Sequence, residues 1–118
     1  MKQLISWVEI PATDIQRAVT FYSQVLDVAL EILDFNTEKM ACFPSGEGAI
    51  SLAPGFEPGS TGVLVSLNAD DDIDGALVRV ASAGGRVVTP KTKIQTEGRG
   101  YFAVFIDSEG NRLGLYGN

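Results

Sequence analysis

Few side chains in this sequence are equipped for chemistry. Glu9 is a candidate general base, and Arg112 and Arg99 are candidate partners for it or for an anion. Tyr101 and Tyr116 offer phenols to an oxyanion, and Trp7, the one tryptophan, offers an indole to a planar or cationic group. Cys42 lies in an apolar stretch with no basic neighbour, so it reads as an inert core thiol rather than a nucleophile. A single cysteine also rules out an intramolecular disulfide. The sequence contains no histidine. That removes the commonest general base and the commonest transition-metal ligand. A metal ion would have to be held by carboxylates, one thiol and backbone oxygens.

Composition narrows the partners. The chain has 118 residues, 45% hydrophobic and 20% charged, which suits one soluble domain with an ordinary core. Fifteen acids against nine bases give a formal charge of -6 with no basic cluster. Phosphate neutralisation needs Lys and Arg, so a nucleic-acid partner is not expected, nor is an anionic membrane surface. No stretch approaches the roughly 20 apolar residues of a membrane-spanning helix. The opening residues run straight into strand-like sequence without a secretory pattern, so a cytoplasmic location is expected.

The elements that must position these side chains come in two similar sets. Asp14, Ile15, Ala18 and Val19 match Asp72, Ile73, Ala76 and Leu77 at a constant offset of 58. Each copy predicts a strand (Ile5–Ile10, Val63–Leu67), a capping aspartate and an amphipathic helix. Three short strands follow each helix. In the first half they are Val28–Leu33, Lys39–Phe43 and Ala49–Ala53; in the second they are Arg86–Val88, Tyr101–Ile106 and Arg112–Tyr116. The segment Thr89–Gly100, polar and ending in glycines, suits either a mobile flap over the cup mouth or an ordinary surface excursion. The expected class is α+β: one domain over 1–118, with βαβββ modules at 1–55 and 61–118 and a linker at 54–60.

The opening motif Asp14-Ile-x-x-Ala18-x-x-Phe21-Tyr22-x-x-Val25-Leu26 resembles that of the vicinal oxygen chelate superfamily. That group includes glyoxalase I, extradiol dioxygenases and the bleomycin- and fosfomycin-resistance proteins. Phe105-Ile-Asp107-Ser-Glu-Gly110-Asn111-Arg-Leu-Gly-Leu115 is similar to its closing hairpin motif. The resemblance implies modules that curl a mixed sheet into a cup, helices on its outer face, and a homodimer. In catalytic members four inward positions carry the metal ligands. Carried over, they fall at Trp7, Ser51, Val65 and Gly114. Trp, Val and Gly have no ligating side chain and a serine hydroxyl is weak, so no metal and no other cofactor is expected.

Alternation along the strands places Trp7, Glu9, Ser51, Val65, Leu67, Arg112, Gly114 and Tyr116 in the cup as ligand-binding candidates. Trp7 either stacks on a ligand or fills the volume left by the missing metal. Glu9 either acts as base or is quieted by an arginine. Three functions are therefore weighed. The first is a metal-free protein that binds a small organic molecule. The second is a metal-independent isomerase or lyase on a carbonyl compound, with Glu9 as base. The third is an interaction module whose cup is filled. Glyoxalase I activity is not expected.

Overall fold

The computed structural model describes residues 2–118. Met1, which opens the expected first module, lies outside them. Ten elements run in the order β1 (Val8–Pro11), α1 (Ile15–Leu26), β2 (Ile32–Asp34), β3 (Lys39–Cys42), β4 (Gly48–Leu52), β5 (Ser66–Asp70), α2 (Ile73–Ser82), β6 (Arg86–Lys93), β7 (Tyr101–Ile106) and β8 (Arg112–Gly117). This is βαβββ twice, as the repeat predicts. The first four strands form one sheet, ordered β1-β4-β3-β2, and the last four another, ordered β5-β8-β7-β6. Each is mixed, because β1 and β5 run parallel to β4 and β8 while the remaining pairs are antiparallel. Each module thus contributes one four-stranded mixed sheet, and no ladder among the described residues joins the two.

Both helices begin at the aspartates the sequence marks. Asp14 accepts from the backbone N–H of Arg17, and Asp72 accepts from that of Gly75. The buried stripe of α1 is Ile15, Ala18, Val19, Phe21, Tyr22 and Val25; that of α2 is Ile73, Ala76 and Val80. These stripes share one core with Ile10, Ala41 and Ile50 of the first sheet and with Leu67, Ala103, Phe105, Leu113 and Leu115 of the second. Side chains alternate along a strand. Glu9, Ala49 and Ser51 therefore face away from the helices, as do Ser66, Arg112, Gly114 and Tyr116. We call this the open face.

Two expectations are corrected. Val65 and Leu67 were expected on the open face, yet Leu67 is buried in the helix-side core and Val65 packs against it. Their neighbour Ser66 is the residue registered beside Gly114. The cause is a bulge. Between Asn68 and Asp70 the β5–β8 register shifts, and Asp70 takes a left-handed φ of 51°. One extra residue there separates strand from helix, and a one-residue slip exchanges the two faces of a strand. The second correction concerns Thr89–Gly100. Thr89–Lys93 continues β6 rather than forming a flap. Pro90 is tolerated because β6 is the outer strand of its sheet and its pairing with β7 is already irregular around it.

The closing hairpin ties the halves together. Buried Asp107 accepts from the Tyr22 phenol at 2.6 Å and from the Asn111 backbone at 2.8 Å. Glu109 accepts from the backbone N–H groups of Thr13 and Asp14, both at 2.9 Å, and pairs with Arg17 at 2.6 Å. A residue of the second module thus caps the first turn of α1, where the helix dipole favours an anion.

Candidate functional site

A cavity of about 560 Å³ lies against the free edge of β1. Its walls are β1 with Trp7, the linker residues Glu57, Thr61 and Val63, and the start of β8 at Arg112. The chain from Gly59 to Val65 bends at Ser60–Gly62, and Gly59, Thr61, Val63 and Val65 line the cavity. A second cavity, of about 810 Å³, lies between Gln3–Ile5, the β3–β4 turn and β5. The first is the better candidate because it gathers an indole, carboxylates and a guanidinium at one place.

Of the residues named from sequence, Trp7, Glu9, Val65 and Arg112 line this cavity. Ser51 joins through Glu9, since its hydroxyl donates to Glu9 Oε1 at 2.7 Å. Ser51 is 2% exposed, so Glu9, itself an exposed residue, is anchored from below by a fixed donor. Among the described residues no ion pair links Glu9 to Arg112 or Arg99. Gly114 and Tyr116 lie on the open face of the second sheet beside Ser66 and Asn68 and do not line the cavity. Leu67 is withdrawn into the core. Tyr101 packs against the helix-side core under the ammonium groups of Lys91 and Lys93, at 4.5 and 5.4 Å from its ring centre. Lys91 also pairs with Asp74 of α2 at 3.1 Å, and neither lysine lines the cavity. Cys42 is half-buried opposite Ala49.

Sequence reasoning missed Glu57, Thr61, Val63 and Asn111. The first three lie at or beside a segment whose Pro and Gly content reads as linker. Asn111 looked like a hairpin residue. Its carboxamide instead accepts from Gly59 N–H at 3.1 Å and donates to the Pro11 carbonyl at 2.7 Å, holding the linker beside β1.

The four positions that the resemblance implies for a metal fail on donor chemistry. After the β5 correction, the open face presents Trp7, Ser51, Ser66 and Gly114, with Leu64 two residues before Ser66 in the same phase. That set supplies an indole, two hydroxyls and alkyl groups. A divalent centre wants several imidazole, thiolate or carboxylate ligands. Glu9 is the one carboxylate of β1, and among the described residues no three Cys, Asp or Glu side chains gather into such a set. A side chain at Gly114 would also begin within 2.5 Å of Ser66 Oγ. The residues present do not fit a metal.

Paired βαβββ modules with a cavity beside the first strand define a glyoxalase-type fold. A family model described as the Glyoxalase/Bleomycin resistance protein/Dioxygenase superfamily matches residues 4–115, and the chain belongs to that superfamily. Among solved structures it is similar to a glyoxalase/bleomycin resistance protein from Albidiferax ferrireducens T118, at 16% identity and a TM-score of 0.73, covering 98% of this chain and 99% of that one. It is similar also to the genomically encoded fosfomycin resistance protein FosX from Listeria monocytogenes, at 15% identity and a TM-score of 0.71, covering 100% and 95%. Against a V278E mutant of glyoxalase I from Zea mays the figures are 17% and 0.69, over 94% of this chain and 44% of that one. No curated protein matches the chain. At these identities the structural likeness speaks for the fold. No helix among the described residues is long and apolar enough to cross a membrane.

Proposed function

We propose that this protein binds a small organic molecule, without a metal, in the cavity between β1, the linker and β8. The observation that carries the reading is the pairing of that cavity with a donor set unfit for chelation. Trp7, Glu9 and Arg112 line about 560 Å³ of accessible space, while the positions used elsewhere for ligands hold Trp7, Ser51, Ser66 and Gly114. A pocket of that size with a few polar groups suits a compact organic ligand. Trp7 supplies a stacking surface, and Glu9 and Arg112 supply charges of both signs.

The working unit is proposed to be a homodimer. Trp7 at 42%, Leu33 at 41% and Tyr116 at 38% exposure leave apolar side chains outward on the open face. Apolar side chains left outward on a sheet face suit a contact surface, and identical chains most often associate in pairs.

A second reading has one observation in its favour. Glu9 is exposed, and among the described residues its one side-chain partner is a serine, which leaves it able to take a proton from a bound carbonyl compound. In that case Glu9→Gln abolishes turnover and leaves binding in place.

The test is a thermal-shift screen of organic acids, amines and aromatic heterocycles in buffer containing a chelator. Any ligand of the native state raises the melting temperature with concentration. The reading predicts a saturable rise that Trp7→Ala removes. Stabilisation by divalent ions alone overturns it.

A further inference from the structure

We infer that the ligand taken by this cavity is a short extended peptide, bound as an added strand between β1 and the linker. The inference rests on the ligand-binding reading above and names the class of ligand. Its foundation is a ledger of backbone hydrogen bonds. In β1, Val8 and Ala12 donate to Glu47 and Ser51 on the β4 side. In a parallel pair the residues out of phase with these turn their N–H and C=O groups the other way. The backbone groups of Trp7 and Glu9 therefore face the cavity. Across it, no hydrogen bond among the described residues engages the backbone of Thr61 or Val63. Free donors and acceptors therefore lie on both sides of the space, in a row along β1 and at single positions of the bent segment opposite.

The width of the space is marked by Asn111. Its carboxamide spans the gap between Pro11 and Gly59, donating to one backbone carbonyl and accepting from the other backbone N–H. A peptide unit of an intervening strand would make the same two bonds. Asn111 is 6% exposed and is fixed by Asp107, so it works as a preformed first rung. Beyond it, Trp7 to Pro11 offers roughly 13 Å of edge, enough for about three or four residues at strand spacing. Glu9, Glu57 and Arg112 line the same cavity, which complements the ammonium and carboxylate ends of a short free peptide. Strand addition to an open edge is a known way of reading peptides through their main chain.

The probes are trialanine and its N-methylated form, which has the same ends but lacks backbone donors. Binding is read by calorimetry, and amide hydrogen exchange is followed at Trp7, Glu9, Thr61 and Val63. Trialanine is expected to bind at least tenfold more tightly than the N-methylated form and to slow exchange at those four amides. Thr61→Pro removes one donor of the exposed linker and is expected to lower affinity at least tenfold, while Thr61→Ala leaves it within twofold. Equal binding of both peptides overturns the proposal. So does stabilisation by a non-peptide compound with none by trialanine, an outcome that leaves the ligand-binding reading standing. If Thr61→Pro dissociates a dimer and no peptide binds, the slot is an interface between copies and the proposal falls.

Discussion

The phenol of Tyr22 donates a 2.6 Å hydrogen bond to Asp107, joining α1 to a hairpin 85 residues further along the chain. Both residues are buried, so neither has water as an alternative partner. The same hairpin supplies Glu109 to the start of α1 and Asn111 to the end of β1. The cavity therefore depends on the second module holding the first in place.

Tyr22→Phe tests this joint. It removes a hydrogen bond to a buried carboxylate while keeping the ring, and is expected to cost about 1.5–3 kcal/mol in urea unfolding at neutral pH. Burial, and then the Asp107 charge, hold the Tyr22 phenol well above its usual ionisation range. Its folded-state value is raised, so its contribution is complete below about pH 10, where the unfolded phenol titrates, and falls as the pH rises further. The gap between wild type and Tyr22→Phe should accordingly narrow above pH 10. A cost under about 0.5 kcal/mol at neutral pH would remove the joint from the account.

Glu109 gives the opposite pH dependence. Burial pushes its carboxyl up, but the Arg17 guanidinium and the N–H groups of Asp14 and Thr13 outweigh it and lower the pKa to about 2. A lowered folded-state value means stability that is present above the unfolded carboxyl range, near 4.5, and is lost as pH falls toward 2. Glu109→Gln is expected to cost on the order of 1 kcal/mol at pH 7, as for a lost helix cap, and the difference from wild type should shrink as the pH falls from the unfolded carboxyl range toward 2. Parallel acid-unfolding curves for the two proteins would contradict this.

Gly48 is required by close approach rather than by its dihedral angles. A Cβ there would collide with the Val8 backbone carbonyl, which cannot swing aside without moving β1 off β4. Gly48→Ala should cost about 1–3 kcal/mol, as overpacking does, and displace the β1 wall of the cavity. Thermal melts of the variant check the first effect, and weaker ligand affinity checks the second.

Much of this was legible because local chemistry fixed it. Asp14 and Asp72 cap the helices they were expected to cap, and the period of α1 is written in Ile15 to Val25. The face of β5 was not legible. Carrying the offset of 58 back from Asp72 assumed equal spacing between strand and helix in both halves, and the bulge at Asp70 adds a residue. The run Asp70-Asp71-Asp72 was the available signal, since left-handed backbone favours Asp over most non-glycine residues. Glu109 and Asn111 were hidden for another reason. Within a hairpin of five polar residues, nothing local distinguishes a solvated tip from one that reaches about 95 to 100 positions back to Asp14 and Pro11.

Trp7 separates ligand contact from simple filling. The indole is 42% exposed, so a filler would be a poor use of it. Trp7→Ala is expected to shift unfolding by less than about 1 kcal/mol while weakening ligand binding tenfold or more. A large stability loss with binding unchanged would return Trp7 to a packing role.

The most direct measurement is a titration of tryptophan emission in the presence of a chelator, with the compounds found by thermal shift as titrants. Because the chain has one tryptophan, the emission comes from a residue that lines the cavity. The account predicts a saturable change in emission with divalent ions stripped away. A change that appears only after a divalent ion is restored would contradict it.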